Sequence, residues 1–194
     1  CFPRWWRGPR TDRGGIPAEL RPYIWAIRDL DQLDWKRGLS QEEQLHIAQE
    51  QALLPVQIMP HLWLSDAAHV RDVRLLRERG ITHVLNVAGR AGLGPTSMYQ
   101  MGGIELLSIE AEDEAGYPML SRHLDECRAF SDKAKAAGGR CVVHCVAGIN
   151  RSGVIVAALL LLEKPDMYVL DAVAHCRRLR GNNFLWNNSF QEQL

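Results

Sequence analysis

The sequence predicts an α/β protein, a single domain with a mostly parallel central sheet of about five strands flanked by helices, preceded by an N-terminal helical extension. From Pro55 onward, short β-branched runs alternate with segments of helical length, which is typical of a parallel sheet covered on both faces. Glycine and proline lie at the segment ends, where helices start and stop. The length of 194 residues suits one domain with a short appendage. We therefore divide the chain into an extension, residues 1–54, and a domain, residues 55–194.

The extension combines an irregular arm with predicted helices. Residues 1–15, CFPRWWRGPRTDRGG, are rich in arginine, tryptophan, proline and glycine, a composition typical of an arm or linker. Two interpretations of the arm stay open, a docking segment for an acidic partner and a disordered leader. Residues 17–37 are expected to form one helix. The capping-box pattern from Ser40 to Glu43 predicts a second helix that reaches Leu54.

Within the domain, the elements follow one another in regular alternation. Apolar and β-branched runs predict strands at residues 61–64, 81–87, 104–109 and 140–144. Helices are predicted at residues 67–79, 118–137, 152–163, 168–179 and 187–194. Gly80 marks the end of the first of these helices and Pro118 the start of the second. The run from Val154 to Leu162 is apolar on every face, so its helix should be buried on all sides.

Composition argues against several classes of function. The formal net charge is zero and the isoelectric point is near 7.2, which gives no support for a nucleic-acid partner. The longest apolar run, residues 154–162, is too short to span a membrane. The histidines show no metal-ligand spacing, so no metal site is expected. Five cysteines without a framework spacing favour free thiols in a reducing compartment, so an intracellular location, cytoplasmic or nuclear, is expected.

One stretch interrupts the predicted core with polar chemistry: VVHCVAGINRSG, residues 142–153. Cys145 lies where a strand should end, Arg151 lies where a helix should begin, and five residues with one glycine join them. Such a loop turns backbone N–H groups toward one centre, and the helix start adds the positive end of its dipole. Arg151 supplies a fork of donors that matches phosphate oxygens, and the same positive field stabilises a Cys145 thiolate. The pattern therefore predicts phosphoryl transfer through a covalent intermediate. The alternative is a buried cysteine with an incidental arginine.

The stretch VHCVAGINRS resembles the phosphate loop of the cysteine-dependent protein tyrosine phosphatase superfamily, and within it the dual-specificity phosphatases. The resemblance covers residues 55–194 and includes ITHVLNVA, IEAEDEAGY and RGNNFLWNNSFQEQL. It implies a phosphatase that hydrolyses phosphotyrosine and phosphoserine or phosphothreonine through a cysteinyl-phosphate intermediate and needs no cofactor. It also implies a phosphoprotein substrate, with a protein kinase as a candidate partner. Asn150 departs from the serine that is commonest in the family, which leaves substrate preference open.

The resemblance also assigns roles to individual residues. Cys145 is the expected nucleophile, Asp113 the proton donor to the leaving oxygen, and Ser152 the hydroxyl that helps the cysteine leave. Glu112 and Glu114 stay open as alternatives for the acid. Phosphate binding is expected from the loop residues Val146, Ala147, Gly148, Ile149, Asn150 and Arg151.

Two further residues are expected to support the site. His144 is expected to order the loop through hydrogen bonds, since the thiolate forms without a base. Asn86 resembles a family residue that braces the phosphate loop, and the alternative is a strand-end amide that caps a turn.

Two other classes of function compete with this interpretation. A non-catalytic module that binds phosphoproteins is disfavoured because the thiol, the arginine and the acid are all present. A phosphatase of a non-protein substrate, an inositol lipid or an RNA 5′ phosphate, would need extra cations in the loop, which has none besides Arg151. In tyrosine-specific relatives, a segment ahead of the catalytic region forms an aromatic wall of the pocket. The interval from Pro60 to Asn86 leaves no room for one, so we expect a shallow cleft. The sequence carries no signal for the oligomeric state.

Overall fold

A computed structural model describes residues 49–50, 52–94 and 96–194. The predicted arm, the helix predicted at residues 17–37 and most of the helix predicted from Ser40 lie outside the described residues. Within them, no helix is both long enough and apolar enough to cross a bilayer.

The centre of the described fold is one five-stranded sheet. Its spatial order is β1-β2-β5-β3-β4, and every neighbouring pair is parallel except β1 with β2. The predicted α/β class with a mostly parallel sheet is therefore confirmed. The strands are β1 (Val56–Met59), β2 (Leu62–Ser65), β3 (His83–Asn86), β4 (Glu105–Ser108) and β5 (Cys141–His144).

Strand β1 was not predicted, and it is the antiparallel edge strand. Its four residues lie between Pro55 and Pro60, and prolines this close together indicate a loop rather than a strand. The strand forms because it pairs with β2 along its full length, with an irregularity in register between Gln57 and Met59. A contact between strands of this kind is not visible in the local sequence.

The helices cover the two faces of this sheet. They are α1 (Val73–Glu78), α2 (Gly89–Gly92), α3 (Thr96–Met101), α4 (Met119–Ala136), α5 (Arg151–Glu163), α6 (Val169–Arg180) and α7 (Asn188–Gln191). The long helices α4, α5 and α6 agree with the predicted ones to within a few residues. The short helices α2 and α3 were not predicted, because four- and six-residue segments are too short to show a helical period.

The single helix predicted at residues 67–79 is wrong. The chain forms a short 3₁₀ turn at His69–Arg71 and then begins α1 after Asp72. The Asp72 carboxylate accepts a hydrogen bond from the backbone N–H of Leu75, so Asp72 caps a new helix instead of continuing an old one. Gly80 follows α1 with φ of 68°, as expected for a glycine that ends a helix.

Helix α5 lies at the centre of the core, and its first residue directly follows the loop of the functional site. Its residues from Ser152 to Leu160 are all buried, but Leu161 is half-buried and Leu162 is exposed, so the burial on all sides that the apolar run predicts does not reach the last turn. It packs against α4, α6 and strands β2 and β5. Because β5 runs directly toward it, the loop between β5 and α5 lies at the carboxyl ends of the parallel strands.

Candidate active site

The candidate site is the loop from Cys145 to Asn150, which joins β5 to α5. Ser65 and Asn86 both lie opposite His144 in register, so β2 and β3 end level with β5 at the loop. At Gly148, φ is 68°, and a Cβ there would approach the Ser65 carbonyl oxygen to 2.6 Å. Only glycine fits this turn without strain.

The carbonyl groups of this loop are all bonded to the protein around it. The Val146 carbonyl accepts from Ala67 N, the Ile149 carbonyl from Leu185 N and the Asn150 carbonyl from Val154 N, at 2.9 to 3.1 Å. Three more bonds complete the set: Cys145 O accepts from His144 Nδ1, and Ala147 O and Gly148 O accept from the Arg180 guanidinium.

The amide groups of the loop behave in the opposite way. Because N–H and C=O of one trans peptide point in opposite directions, carbonyls bonded outward turn the following N–H groups toward the loop centre. Within the described part of the chain, no hydrogen bond is donated by the backbone N–H of Val146, Gly148, Ile149, Asn150 or Arg151. Converging unpaired amides at a helix start are a binding site for an anion.

Cys145 stands apart from the other described cysteines by its surroundings. The hydroxyl of the buried Ser152 donates a hydrogen bond to Cys145 Sγ over 3.2 Å. Burial raises the pKa of Cys127 and of Cys176 to about 12 and also raises the pKa of Cys141, so these three remain protonated thiols. All four are free and buried, and among them only Cys145 starts the loop with unpaired amides.

His144 is a buried neutral side chain behind the loop. Its Nδ1–H donates to the Cys145 carbonyl at 3.2 Å. Burial lowers the pKa of His144 to about 4, although the bond to Cys145 and the Asp66 charge act in the raising direction. The described hydrogen bond of this neutral imidazole goes to the loop backbone and not to the Cys145 thiol.

Arg151 and Asp113 lie next to each other at the open side of the loop. Arg151 Nη1 donates to the Ala111 carbonyl at 3.0 Å, which ties the helix start to the acidic loop. Its Nε is buried, lies 3.7 Å from Asp113 Oδ2, and makes no hydrogen bond within the described residues. A buried guanidinium N–H without an acceptor is suited to an oxyanion ligand.

The structure separates Asp113 from its acidic neighbours. Asp113 Oδ1 accepts from Asn187 Nδ2 at 3.3 Å, and Asp113 Oδ2 accepts from Asn150 Nδ2 at 3.4 Å. The carboxylates of Glu112 and Glu114 are exposed and have no hydrogen-bond or ion-pair partner among the described residues. Of the three candidates for the acid, the described contacts therefore bring only Asp113 to the loop.

Asn150 links the loop to the C-terminal segment. Its Oδ1 accepts from the backbone N–H groups of Trp186, at 2.7 Å, and Asn187, at 3.0 Å, while its Nδ2 reaches Asp113. A serine side chain is too short to make these three contacts together. Asn150 and Asn187 thus hold the acidic loop, the loop from Cys145 to Asn150 and the C-terminal segment in one hydrogen-bonded group.

Asn86 is bonded to its own turn. Its Nδ2 donates to Gly89 O at 2.7 Å and to Ser108 Oγ at 3.0 Å, and its Oδ1 accepts from Ala88 N. These hydrogen bonds go to the segment after β3 and to β4, so they fit the turn-capping alternative for this strand-end amide.

Several residues at or beside the site were not singled out from the sequence, among them Asn187, Asp66 and Arg180, which donates to two loop carbonyls. Asn187 holds Asp113, and the buried Asp66 accepts two bonds from His69 while its neighbour Ala67 holds the loop carbonyl of Val146. Asp66 had a usable signal, because it lies two residues after the strand predicted at residues 61–64, and the observed strand β2 ends at Ser65 beside the site. Asn187 had only its place in the family-like tail. Among the described residues, no group of three His, Cys, Asp or Glu side chains could hold a metal ion.

Comparison with known proteins gives consistent findings. The family model described as the dual specificity phosphatase catalytic domain matches residues 62–194. Dual specificity protein phosphatase 26 of Bos taurus is 34% identical over 139 residues, which cover 71% of this chain and 64% of that protein. This chain therefore spans less than two thirds of that relative's length.

Solved structures agree with this match. Human DUSP28 has a TM-score of 0.62 at 27% identity, over 72% of this chain and 88% of that chain. The structure of PTPMT1 in complex with PI(5)P has a TM-score of 0.59 at 22% identity, over 71% of this chain and 89% of that chain, which is a likeness of the fold alone.

The buried His144 should make the fold sensitive to acid. Its pKa is about 4 when folded and about 6.5 in the unfolded chain, so the unfolded state takes up a proton first as the pH falls. The stabilisation is complete above pH 6.5 and is lost as the pH falls toward 4. We expect the free energy of unfolding, measured with urea, to fall between pH 7 and 4.5 by about 2 kcal/mol more in the wild type than in His144→Asn. Equal losses in the two proteins would contradict this assignment.

Proposed function

Because the chain belongs to the dual-specificity phosphatase family, we propose that residues 55–194 form its catalytic domain and hydrolyse phosphotyrosine and phosphoserine or phosphothreonine in proteins through a cysteinyl-phosphate intermediate. The proposal depends on one observation above all. The Cys145 thiol starts a loop whose carbonyls are bonded outward, while several of its amides have no partner in the described residues. A nucleophile beside an anion cradle is the arrangement that covalent phosphoryl transfer requires.

In the first step, the Cys145 thiolate attacks the phosphorus atom and the bond from phosphorus to the ester oxygen breaks. The loop amides and Arg151 hold the non-bridging oxygens, where negative charge is concentrated. Asp113 gives its proton to the leaving oxygen, so that an alcohol or phenol departs instead of an anion. Asn150 and Asn187 are positioning residues here, because each contacts one oxygen of Asp113.

In the second step, water releases the phosphate. The Asp113 carboxylate takes a proton from a water molecule while the water oxygen attacks phosphorus and the bond from sulfur to phosphorus breaks. Inorganic phosphate leaves, and Cys145 is again a thiolate. The Ser152 hydroxyl, 3.2 Å from Sγ, donates a hydrogen bond that stabilises the departing sulfur.

Phosphoproteins are the proposed substrate class. The loop side chains of Val146, Ala147 and Ile149 are uncharged, whereas a headgroup with several phosphates would need cations for each of them. The interval before β3 holds β2, a 3₁₀ turn and α1, with no additional segment to form a deep aromatic wall. A shallow cleft admits both phosphotyrosine and phosphothreonine.

The two alternatives have less support. PTPMT1, solved with PI(5)P, shares the fold only, so its ligand gives no direct evidence for this chain. A module that binds without turnover would not need a thiol, an arginine and a carboxylate in one group. The four described cysteines are unpaired, in keeping with the reducing intracellular compartment that we propose for this phosphatase, and a protein kinase is a candidate partner among its phosphoproteins.

Replacing the nucleophile should separate binding from turnover. Cys145→Ser should abolish hydrolysis of p-nitrophenyl phosphate, which the wild type should catalyse without added metal, but keep phosphate binding because the backbone cradle remains. Calorimetric titration with phosphate and a steady-state assay measure the two properties. The matched control is Cys176→Ser, a buried thiol outside the loop, which should hydrolyse at near wild-type rates. Near wild-type hydrolysis by Cys145→Ser would rule out the covalent mechanism.

The loss of kcat on removing the proposed acid should depend on the leaving group. Asp113→Ala should lower kcat by about 10²- to 10⁴-fold for substrates with a poor leaving group, the usual range for a lost general acid. The loss should be small for leaving groups that depart without a proton. Glu112→Gln and Glu114→Gln are the matched controls and should leave kcat within about twofold of the wild type, since their carboxylates contact nothing in the site. Equal losses for good and poor leaving groups would assign the acid elsewhere.

A panel of substrates tests the class directly. Values of kcat/KM for phosphotyrosine peptides and phosphothreonine peptides should both exceed those for a soluble inositol lipid and for RNA with a 5′ phosphate. The reason is the uncharged loop together with the shallow cleft. A clear preference for the lipid or the RNA, or inactivity on phosphothreonine across several peptides, would refute this part of the proposal.

A further inference from the structure

Arg180, the last residue of α6, is a fully buried charged side chain that the proposed mechanism does not use. Removing a guanidinium from water costs several kcal/mol unless charges and hydrogen bonds compensate it. Burial is the largest influence on the pKa of Arg180 and lowers it, whereas the nearby Glu50, Asp66 and Cys145 raise it. The side chain remains a cation, because the pKa of arginine starts far above neutrality.

Two hydrogen bonds of Arg180 go to the back of the loop from Cys145 to Asn150. Its Nε donates to the Gly148 carbonyl at 3.3 Å, and its Nη2 donates to the Ala147 carbonyl at 3.4 Å. These two bonds hold the peptides whose N–H groups belong to Gly148 and Ile149, and both amides lack a partner in the described chain. Arg180 therefore fixes the peptide planes that turn those amides toward the loop centre.

Glu50, which lies shortly before β1 in the chain, completes the arrangement. Its carbonyl accepts from Arg180 Nη1 at 3.4 Å. Its buried carboxylate accepts from the backbone N–H of Asn182, at 2.8 Å, and from the backbone and side chain of Asn183. At Gly181, φ is 95°, and a Cβ there would run into this carboxylate, so only glycine allows the close approach.

We propose that Glu50 and Arg180 form a positioning pair for the phosphate loop. Arg180 orients the Ala147 and Gly148 peptides and places a fixed positive charge behind the oxyanion site, and Glu50 holds Arg180 and the residues after it in place. Glu50 precedes the stretch 62–194 that matches the family model, so a residue of the preceding segment contributes to the site. The inference rests on the proposed phosphatase function, but it concerns oxyanion binding and is measured without turnover.

The test compares full-length variants for tungstate binding by calorimetry, kcat/KM on an aryl phosphate and thermal unfolding. Arg180→Met removes the charge and the donors, Arg180→Lys keeps the charge but not the fork, and Glu50→Gln places an amide among N–H donors. The matched control is Arg178→Met, an exposed arginine on the same helix. We expect tungstate binding to weaken by about tenfold or more in Arg180→Met, with partial rescue in Arg180→Lys. Glu50→Gln should also weaken it, and Arg178→Met should leave it unchanged.

The possible outcomes distinguish a failure of the positioning pair from a failure of the proposed phosphatase function. If Arg180→Met does not fold, Glu50→Gln and Arg180→Lys decide the question at a temperature well below their melting points. Variants that melt earlier but bind tungstate as tightly as the wild type would overturn the positioning role and leave the proposed function intact. Weakened tungstate binding in a protein that hydrolyses no phosphoester would support the pair and refute the proposed function. Absence of tungstate binding in the wild type would refute both.

Discussion

The whole site depends on one constraint: a loop between a buried strand and a buried helix start must keep several backbone N–H groups without a partner among the described residues and aimed at one point. An unsatisfied buried amide costs about 1–3 kcal/mol, so a chain adopts such a loop only when the surrounding structure fixes every peptide in it. Hydrogen bonds to the loop carbonyls fix these peptides. Ala67 holds one of them from the end of β2, Leu185 holds another from the C-terminal segment, and Arg180 holds two from behind. Each bond that fixes a carbonyl also fixes the direction of the next amide.

The architecture around the loop follows from the same requirement. Strand β5 and the first turns of helix α5 are buried, so the two ends of the loop are anchored in the core of the domain. Ser152 in the first turn of α5 places a hydroxyl on the thiol, and Arg151 beside it places a guanidinium next to the acidic loop. Asn150 then ties the acidic loop and the chain end to the same helix start. The proposed nucleophile, guanidinium and acid are thus all connected to the start of α5.

The sequence predicts the parts of this structure that depend on local patterns. The α/β class, the apolar helix α5 and the strand–loop–helix setting of Cys145 follow from residues adjacent in the chain. So does the end of α1 at Gly80. The break before α1 could not be predicted, because Asp72 is acceptable both inside a helix and as its cap, and tertiary packing decides between the two. Strand β1 depends in the same way on its pairing with β2.

Contacts between segments far apart in the chain could not be predicted from the sequence. Glu50 and Arg180 are 130 positions apart, and nothing in either local sequence shows that they meet behind the loop. Asn86 is a strand-end amide whose side chain could have braced the loop, but its hydrogen bonds go to Ala88 and Gly89. In the same way, the acidic stretch offers several equivalent carboxylates, and only the folded contacts of Asp113 distinguish it from Glu112. Local chemistry identifies candidate groups, and the fold decides which of them meet.

Trapping of the intermediate tests the central claim most directly. The wild-type protein would be mixed with an aryl phosphate, quenched in acid within the first turnovers, digested and examined by mass spectrometry. We predict that the peptide containing Cys145 carries one phosphoryl group, and that Asp113→Ala accumulates more of this species with a good leaving group because hydrolysis of the intermediate is slowed. Continued turnover with no phosphoryl group on Cys145, or with the group on another residue, would contradict the account.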